Sequence, residues 1–248
     1  MLSHLLTGFD FIYMDYYFWG IILIPGILLG LLAQIKVMRT YHVYKEIPSS
    51  STLTASELAR KLLSEHNIND ISIDKATGEL SDYYNYKTKS VGLSGGVYNS
   101  NSIAALGIMA HEIGHVMQYK SNYFPLKFRN FLIPLSNFIS KLLWPVIFLG
   151  IFFNFMLLFD SMIGNIFIYS GIIMFGLIAL ISLITLPVEL NASGRAKTIL
   201  LSSGAINQEE VIGVKKVLNA AALTYVAALI ISLLNLLRFV IVFGNRRR

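Results

Sequence analysis

Cysteine is absent from this chain of 248 residues, and charged residues make up only 14% of it. Without cysteine the chain forms no disulfide and no thiolate metal site, so any metal ion would have to be held by His, Asp or Glu. The hydrophobic content of 55% is too high for a soluble domain of this size. The composition therefore predicts a membrane protein.

Lysine and arginine are missing before Lys36, which is followed by Arg39 and Lys45. Because no basic region or small-residue cleavage site accompanies the apolar stretch at 17–37, we predict a retained membrane anchor and not a cleaved signal peptide. The positive-inside bias predicts an N-terminus outside and a following segment in the cytoplasm. The formal net charge of +6 does not indicate nucleic-acid binding, because the basic residues flank apolar segments instead of forming a patch with aromatic residues.

Two further apolar stretches, 142–159 and 163–186, are separated only by Asp160, Ser161 and Met162. Each is long enough to cross a bilayer, so together they predict a transmembrane hairpin with its turn outside. We expect the helix to break at Pro187, where the chain would return to the cytoplasm.

A last apolar stretch covers 217–243, but Arg238 interrupts it and three arginines follow at 246–248. These charges would end up outside if the stretch crossed the membrane. The alternatives are a fourth span, which we favour, and a re-entrant or interfacial segment.

The segment between the first two apolar stretches is mixed and polar, and we predict one small cytoplasmic domain there. Its pattern predicts four elements: a helix over 56–66 capped by Ser56, strands near 71–73 and 89–93, and a helix from 103 to about 119 capped by Ser100 or Ser102.

The second of these helices carries an HExxH pentad, His111-Glu112-Ile113-Gly114-His115. Histidines four residues apart project from one face of a helix and can bind one ion, with Glu112 beside it. A chance match is the alternative. The helix is apolar on nearly every face, however, and burying these polar groups without a shared metal would be unfavourable. Gly107 and Gly114 indicate close approach of another backbone or side chain.

A hydrolytic zinc site takes three protein ligands and leaves a fourth position for water, so the pentad needs one more ligand. The remaining histidines lie at predicted membrane or helix ends: His4, His42 and His66. Glu189 is our candidate, because the end of an apolar stretch is an unfavourable place for a charge without a role. The alternative is that Glu189 pairs with Arg195 or Lys197.

Several blocks of the sequence resemble the YugP-type membrane-bound neutral zinc metallopeptidases. They are SIAALGIMAHEIGHVMQ from Ser102, LPVELNASGRA from Leu186 and AALTYVAALIISLLNLLRFV from Ala221, and GELSDYYNYKTKSVGLSGGVY from Gly78 also fits the family. The resemblance implies that His111, His115 and Glu189 are zinc ligands and that Glu112 is the catalytic base.

The chain departs from the family pattern at a few positions. Asn191 stands where the family usually has Asp, Gly194 replaces a common Arg, and Tyr84 and Asn85 stand where the upstream block often reads like His-Tyr-Asp. No proposed ligand is lost. The Asn191 change does bear on how the ligands are oriented, since an amide lacks the charge of a carboxylate.

Together these features predict a mainly α-helical polytopic membrane protein with a small α+β, zinc-peptidase-like cytoplasmic domain that carries the HExxH helix. Its predicted segments are an anchor at 1–39, the cytoplasmic α+β segment at 40–130, a transmembrane hairpin at 131–187, a cytoplasmic helix with the third ligand at 188–216, and a transmembrane or re-entrant segment at 217–248.

The predicted function is that of a membrane-embedded endopeptidase with one Zn²⁺, in which a zinc-activated water hydrolyses the peptide bond and Glu112 is the general base. Residues predicted to contact the transition state or orient the ligands are Arg195, Asn191, Tyr98 and Tyr84. The strand near 91–94 is predicted to offer an edge to an extended peptide. The expected partners are a peptide or protein substrate and the lipid bilayer, with no nucleic acid.

There are three alternatives to this function. A catalytically silent scaffold or assembly factor would keep the fold, and Asn191 is the only hint of it. A site-2-type intramembrane protease is disfavoured because the chain has no Asp-Gly dipeptide. A transporter is disfavoured because the apolar stretches have no charged residue deep inside them apart from Arg238.

Overall fold

The computed structural model describes residues 18–156 and 162–244 of the chain. These residues are mainly helical. After a short 3₁₀ turn (Trp19–Leu23), the elements are α1 (Ile24–Tyr44), α2 (Ala55–Glu65), β1 (Ser72–Ala76), β2 (Tyr83–Asn85), β3 (Ser90–Ser94), α3 (Gly95–Tyr98), α4 (Ile103–Lys120), α5 (Phe124–Met156), α6 (Met162–Ser202) and α7 (Glu210–Gly244). Of the predicted hairpin turn, Asp160 and Ser161 lie outside the described residues, as do His4 and the arginines at 246–248.

Four helical segments among the described residues are long and apolar enough to cross a membrane. They are Trp19–Tyr44, Phe124–Met156, Met162–Ser202 and Glu210–Phe243. About 20 residues of helix suffice to span the hydrocarbon core, so each has the required length. With the apolar composition, these helices indicate that the protein lies in a membrane, and α7 runs without a break through Arg238.

The predicted break at Pro187 is wrong, because α6 continues through this residue. Proline removes one backbone hydrogen bond and its ring crowds the preceding turn, which usually ends or kinks a helix. Here Pro187 is exposed, whereas the next residues, Val188 and Glu189, are buried. Packing of the following turn keeps the chain helical, and Glu189 therefore lies inside a continuous helix.

The described residues belong to two compact units, which we treat separately. The apolar unit comprises the described parts of Met1–Leu31, Phe128–Thr185 and Tyr225–Arg248, and the sheet unit comprises Leu32–Lys127 and Leu186–Thr224. Aromatic and aliphatic side chains form the buried core of the apolar unit, in which the rings of Phe175 and Phe239 lie 4.5 Å apart.

The three strands of the sheet unit form one sheet in the order β1-β3-β2. β3 pairs in parallel with β1 and antiparallel with β2, and all its residues are buried. The expectation of a free edge at 91–94 is wrong for Val91 and Gly92, which lie between β1 and β2, whereas Leu93 and Ser94 pair with β1 only. β2 is not predictable from the sequence pattern, since its three residues are too short a run for alternation to show.

Helix starts in the sheet unit are set by side-chain caps. α2 begins one residue before Ser56, and its cap is Thr54, which forms a capping box with Glu57. The prediction of Ser56 as the cap is therefore wrong. At α4 the Oγ atom of Ser102 accepts a hydrogen bond from the Ala105 N–H at 3.2 Å, so of the two predicted caps the structure has Ser102.

α4 lies in the core of the sheet unit. Its side chains Leu106, Met109, Ile113 and Val116 have no exposed surface, and they pack in one cluster with residues of α2, β1 and β3. A central, almost fully buried α4 holds the HExxH pentad in a rigid setting.

Candidate metal centre

α4 and α6 are in close contact at Gly114, the fourth residue of the pentad. A Cβ atom at this position would lie 2.5 Å from the backbone oxygen of Ala192, a distance that real contacts do not reach. At Gly107 a Cβ atom would lie 3.3 Å from a methyl group of Val214. The predicted close approach at both glycines is confirmed, and at Gly114 it brings the pentad against the turn of α6 that carries Glu189.

Three side chains that could hold a metal ion meet at this contact: His111, His115 and Glu189. The Oε2 atom of Glu189 lies 3.2 Å from Nε2 of His111 and 3.4 Å from Nε2 of His115. Ligand atoms at about 2.0–2.1 Å from a tetrahedral zinc ion are about 3.3–3.4 Å apart. The donor set and both separations therefore fit one zinc ion.

The site is largely shielded from water. Glu189 is 2% exposed, and Glu112 and His115 are each 8% exposed. Burial raises the pKa of Glu112, and the nearby histidines His111 and His115 only partly oppose this. Burial also acts to lower the pKa of His115, but its hydrogen bond to Glu189 and the charges of Glu112 and Glu189 outweigh burial and raise it. Two buried carboxylates beside two imidazoles form a site that a divalent cation would stabilise.

Each histidine uses its other ring nitrogen to bind a residue that the sequence analysis did not name. Nδ1 of His115 lies 2.9 Å from Oε1 of Gln118, and Nδ1 of His111 lies 3.1 Å from Oγ of Ser193. Such contacts orient an imidazole so that Nε2 faces the metal. Helical spacing is the signal that could have found them, since Gln118 follows His115 by three residues and Ser193 follows Glu189 by four.

Asn191 lies at the edge of this site. Its Oδ1 atom accepts hydrogen bonds from Nε2 of Gln118 at 3.0 Å and from Nε of Arg195 at 2.9 Å. The guanidinium group of Arg195 also lies over the ring of Tyr123. Asn191 and Arg195 are thus linked to His115 through Gln118.

The two predicted tyrosines have other surroundings. The hydroxyl of Tyr98 accepts a hydrogen bond from Arg60 at 2.8 Å. The hydroxyl of Tyr84 is buried without a hydrogen-bond partner among the described residues, and its ring lies against Tyr119. Burial, with smaller contributions from Tyr119 and Asp70, raises the pKa of Tyr84 to about 12. Neither tyrosine has a hydrogen bond to His111, His115 or Glu189 in the described structure.

Residues 19–244 match the protein family described as "Putative neutral zinc metallopeptidase", and the chain belongs to this family. A relative, the "Putative membrane protease YugP" of Bacillus subtilis (strain 168), is 41% identical over 216 residues, which cover 87% of this chain and 92% of the relative. The resemblance predicted from the sequence blocks is thereby confirmed. No solved structure matches the chain significantly.

Proposed function

We propose that this protein is a membrane-embedded zinc endopeptidase that hydrolyses peptide bonds in a peptide or protein substrate. His111, His115 and Glu189 would hold one Zn²⁺, and Glu112 would be the general base. The observation that supports this most is the convergence of the two histidines on one oxygen of Glu189 at zinc-ligand spacing. When bound, zinc supplies Lewis acidity for the scissile carbonyl and lowers the pKa of water.

Glu112 is suited to move the proton in this reaction. It is buried directly beside the two histidines, and burial favours its protonated form. Glu112 would accept a proton from water as the water oxygen bonds to the carbonyl carbon. It would then donate that proton to the amine nitrogen as the C–N bond breaks. A general base of this kind contributes about 10²- to 10⁴-fold to the rate.

The scaffold alternative depended on Asn191, the position where an amide replaces the carboxylate expected from the resemblance. The amide oxygen accepts two hydrogen bonds, from Gln118 and from Arg195. An acceptor at this position therefore does not require a carboxylate, and Asn191 does not favour a silent site.

The experiment compares wild type, Glu112→Gln and Glu189→Gln, purified in detergent, by bound zinc and by cleavage of a broad peptide library. We expect Glu112→Gln to keep zinc and to lose at least about 100-fold in activity. Glu189→Gln should lose both, because an amide is a poor zinc ligand. The matched control is Glu209→Gln, at an exposed carboxylate.

Two outcomes would contradict the proposal. Full zinc retention by Glu189→Gln would exclude Glu189 as a ligand. A wild type that binds zinc but cleaves no member of the library would favour the scaffold.

We also propose that the metal centre faces the cytoplasm. The support is the positive-inside bias of the basic residues that follow the first apolar stretch, among them Lys36, Arg39 and Lys45. The absence of native cysteine allows a direct test with Ser64→Cys, at an exposed position of the sheet unit. A membrane-impermeant maleimide should label this cysteine only after cells are permeabilised, and wild type is the blank. Labelling in intact cells would reverse the assignment.

A further inference from the structure

We infer that Gln118 is a positioning residue that holds His115 in the tautomer needed to bind zinc through Nε2. This inference depends on the proposed metal centre and concerns a residue outside the HExxH pentad. Gln118 has no exposed surface, and all of its amide contacts are to buried or partly buried groups.

The orientation of the Gln118 amide is determined by groups that can act in one way only. Its Nε2 atom lies 2.8 Å from the backbone oxygen of Val188 and 3.0 Å from Oδ1 of Asn191. A backbone oxygen accepts and never donates, so the NH₂ group of Gln118 must face it. The amide oxygen must then face His115.

Arg195 determines the orientation of Asn191 in the same way. The Nε atom of Arg195 donates and never accepts, and it lies 2.9 Å from Oδ1 of Asn191. The oxygen of Asn191 is therefore directed toward Arg195 and Gln118. The backbone oxygen of Val188 can only accept and Arg195 can only donate. Neither the Gln118 amide nor the Asn191 amide can therefore flip without bringing two donors or two acceptors together.

The consequence reaches His115. Since Oε1 of Gln118 accepts only, Nδ1 of His115 must carry the proton in the neutral ring. Nε2 then has its lone pair free, and Nε2 is the atom that lies 3.4 Å from Glu189. In the neutral ring the network thus favours the tautomer that leaves Nε2 available to a metal ion.

His111 lacks this constraint on its own Nδ1. Its partner is the hydroxyl of Ser193, which can donate or accept. The two ligands are therefore held differently, and replacement of Gln118 should affect the metal centre through His115.

The test measures zinc affinity of the full-length protein in detergent by competition with a chromophoric chelator, together with thermal unfolding. Gln118→Met removes the amide at similar volume, and we expect zinc affinity to fall about 10- to 100-fold. Gln118→Glu keeps an acceptor for His115 and should bind zinc more tightly than Gln118→Met. Asn191→Leu removes one of the two acceptors of the Gln118 NH₂ group and leaves the backbone oxygen of Val188. It should cause a smaller loss of zinc affinity than Gln118→Met.

The matched control is Ser102→Ala, which removes the N-cap of the same helix, α4, without touching the ligands. It should lower the stability and leave zinc affinity unchanged. A loss in Ser102→Ala as large as in Gln118→Met would overturn the inference, because helix destabilisation would then explain both. Equal losses in the Met and Glu variants would also overturn it.

Wild-type affinity in Gln118→Met would overturn the inference and leave the proposed function intact. If Gln118→Met does not fold, wild-type affinity in Asn191→Leu has the same meaning. A wild type that binds no zinc would overturn the proposed function and this inference together.

Discussion

α6 contacts a neighbouring helix at a glycine in each unit, and only one of these two contacts lies beside the candidate metal centre. In the apolar unit, a Cβ atom on Gly164 would lie 2.6 Å from the side chain of Asn154 in α5. In the sheet unit, a Cβ atom on Gly114 of α4 would lie 2.5 Å from the backbone of Ala192 in α6. In both contacts a glycine allows two helices to pack closely. The two contacts differ in the side chains that lie beside the glycine.

Beside the contact in the apolar unit is a pair of amides, with Nδ2 of Asn154 donating to Oδ1 of Asn165 at 3.3 Å. Small residues and interhelical amide hydrogen bonds commonly hold helices together in membranes. The contact in the sheet unit instead has two histidines and a carboxylate converging on one point. Close packing at a glycine therefore occurs in both units, whereas the capacity to hold a metal ion depends on which polar side chains lie beside the glycine.

The largest effect is expected from Gly114→Ala. The added methyl group would meet the Ala192 backbone and force α4 away from α6, which should destabilise the sheet unit by about 1–3 kcal/mol. Zinc affinity should fall as well, because the histidines are on one helix and Glu189 is on the other. Thermal unfolding and chelator competition measure the two effects.

Gly194→Ala is the control for Gly114→Ala. A Cβ atom at Gly194 meets nothing within 4 Å. Alanine should therefore stabilise the helix by about 0.4–1 kcal/mol without changing zinc affinity. Equal behaviour of the two variants would show that the Gly114 contact does not position the ligands.

Gly164→Ala should be next in size and should affect stability alone. The obstructing atoms belong to Asn154 and include its backbone nitrogen at 2.8 Å, so a loss of about 1–3 kcal/mol is expected. Zinc affinity of the folded protein should be unchanged. Gly176→Ala is the control, since its Cβ atom would meet only Leu236 at 4.0 Å. A fall in zinc affinity in Gly164→Ala would contradict the expectation that only the Gly114 contact affects zinc binding.

Asn154→Leu tests the amide pair directly. Loss of one interhelical hydrogen bond in a membrane protein costs about 0.6–1.7 kcal/mol, so we expect a modest loss of thermal stability. A double-mutant cycle with Asn165→Leu isolates the pairwise contribution. Additive losses in the double variant would mean that the two amides do not stabilise each other.

The smallest effect is expected at two ion pairs of Asp70 on the surface of the sheet unit. Asp70 binds Lys120 at 2.6 Å and Lys89 at 3.0 Å, and these two hydrogen bonds lower its pKa from 3.8 to about 2. Because the pKa is lower in the folded protein, the stabilisation is present above pH 3.8 and is lost as the pH falls towards 2. Unfolding measured across this range should show a larger loss in wild type than in Asp70→Asn. An identical pH dependence in both would assign the loss to other carboxylates.

The features that could be predicted from the sequence depend on the spacing of residues that are close together in the chain. His111 and His115 are one helical turn apart, and the apolar stretches are long enough to span a bilayer, so both features are apparent from the chain. Glu189 was predicted because a carboxylate at the end of an apolar stretch is unusual. These predictions need only the sequence near each residue.

Other features depend on contacts that local spacing does not contain. An amide or hydroxyl such as Gln118 or Ser193 is ordinary in a helix, and only the neighbouring helix shows what it binds. The central place of β3 depends on the three-residue strand β2, and the helix at Pro187 depends on packing of the turn that follows it. In each case tertiary contacts override a weak local signal.

The sequence by itself determined that this chain is apolar enough for a membrane, that metal ligands must be His, Asp or Glu, and that two histidines share a helix face. Only the tertiary structure decided that Glu189 lies 3.2 Å from His111 across 78 residues of chain, and that Gln118 faces His115. The physical reason is that helical periodicity sets directions within one helix. Distances between helices depend instead on how closely their backbones pack, which here requires glycine at position 114.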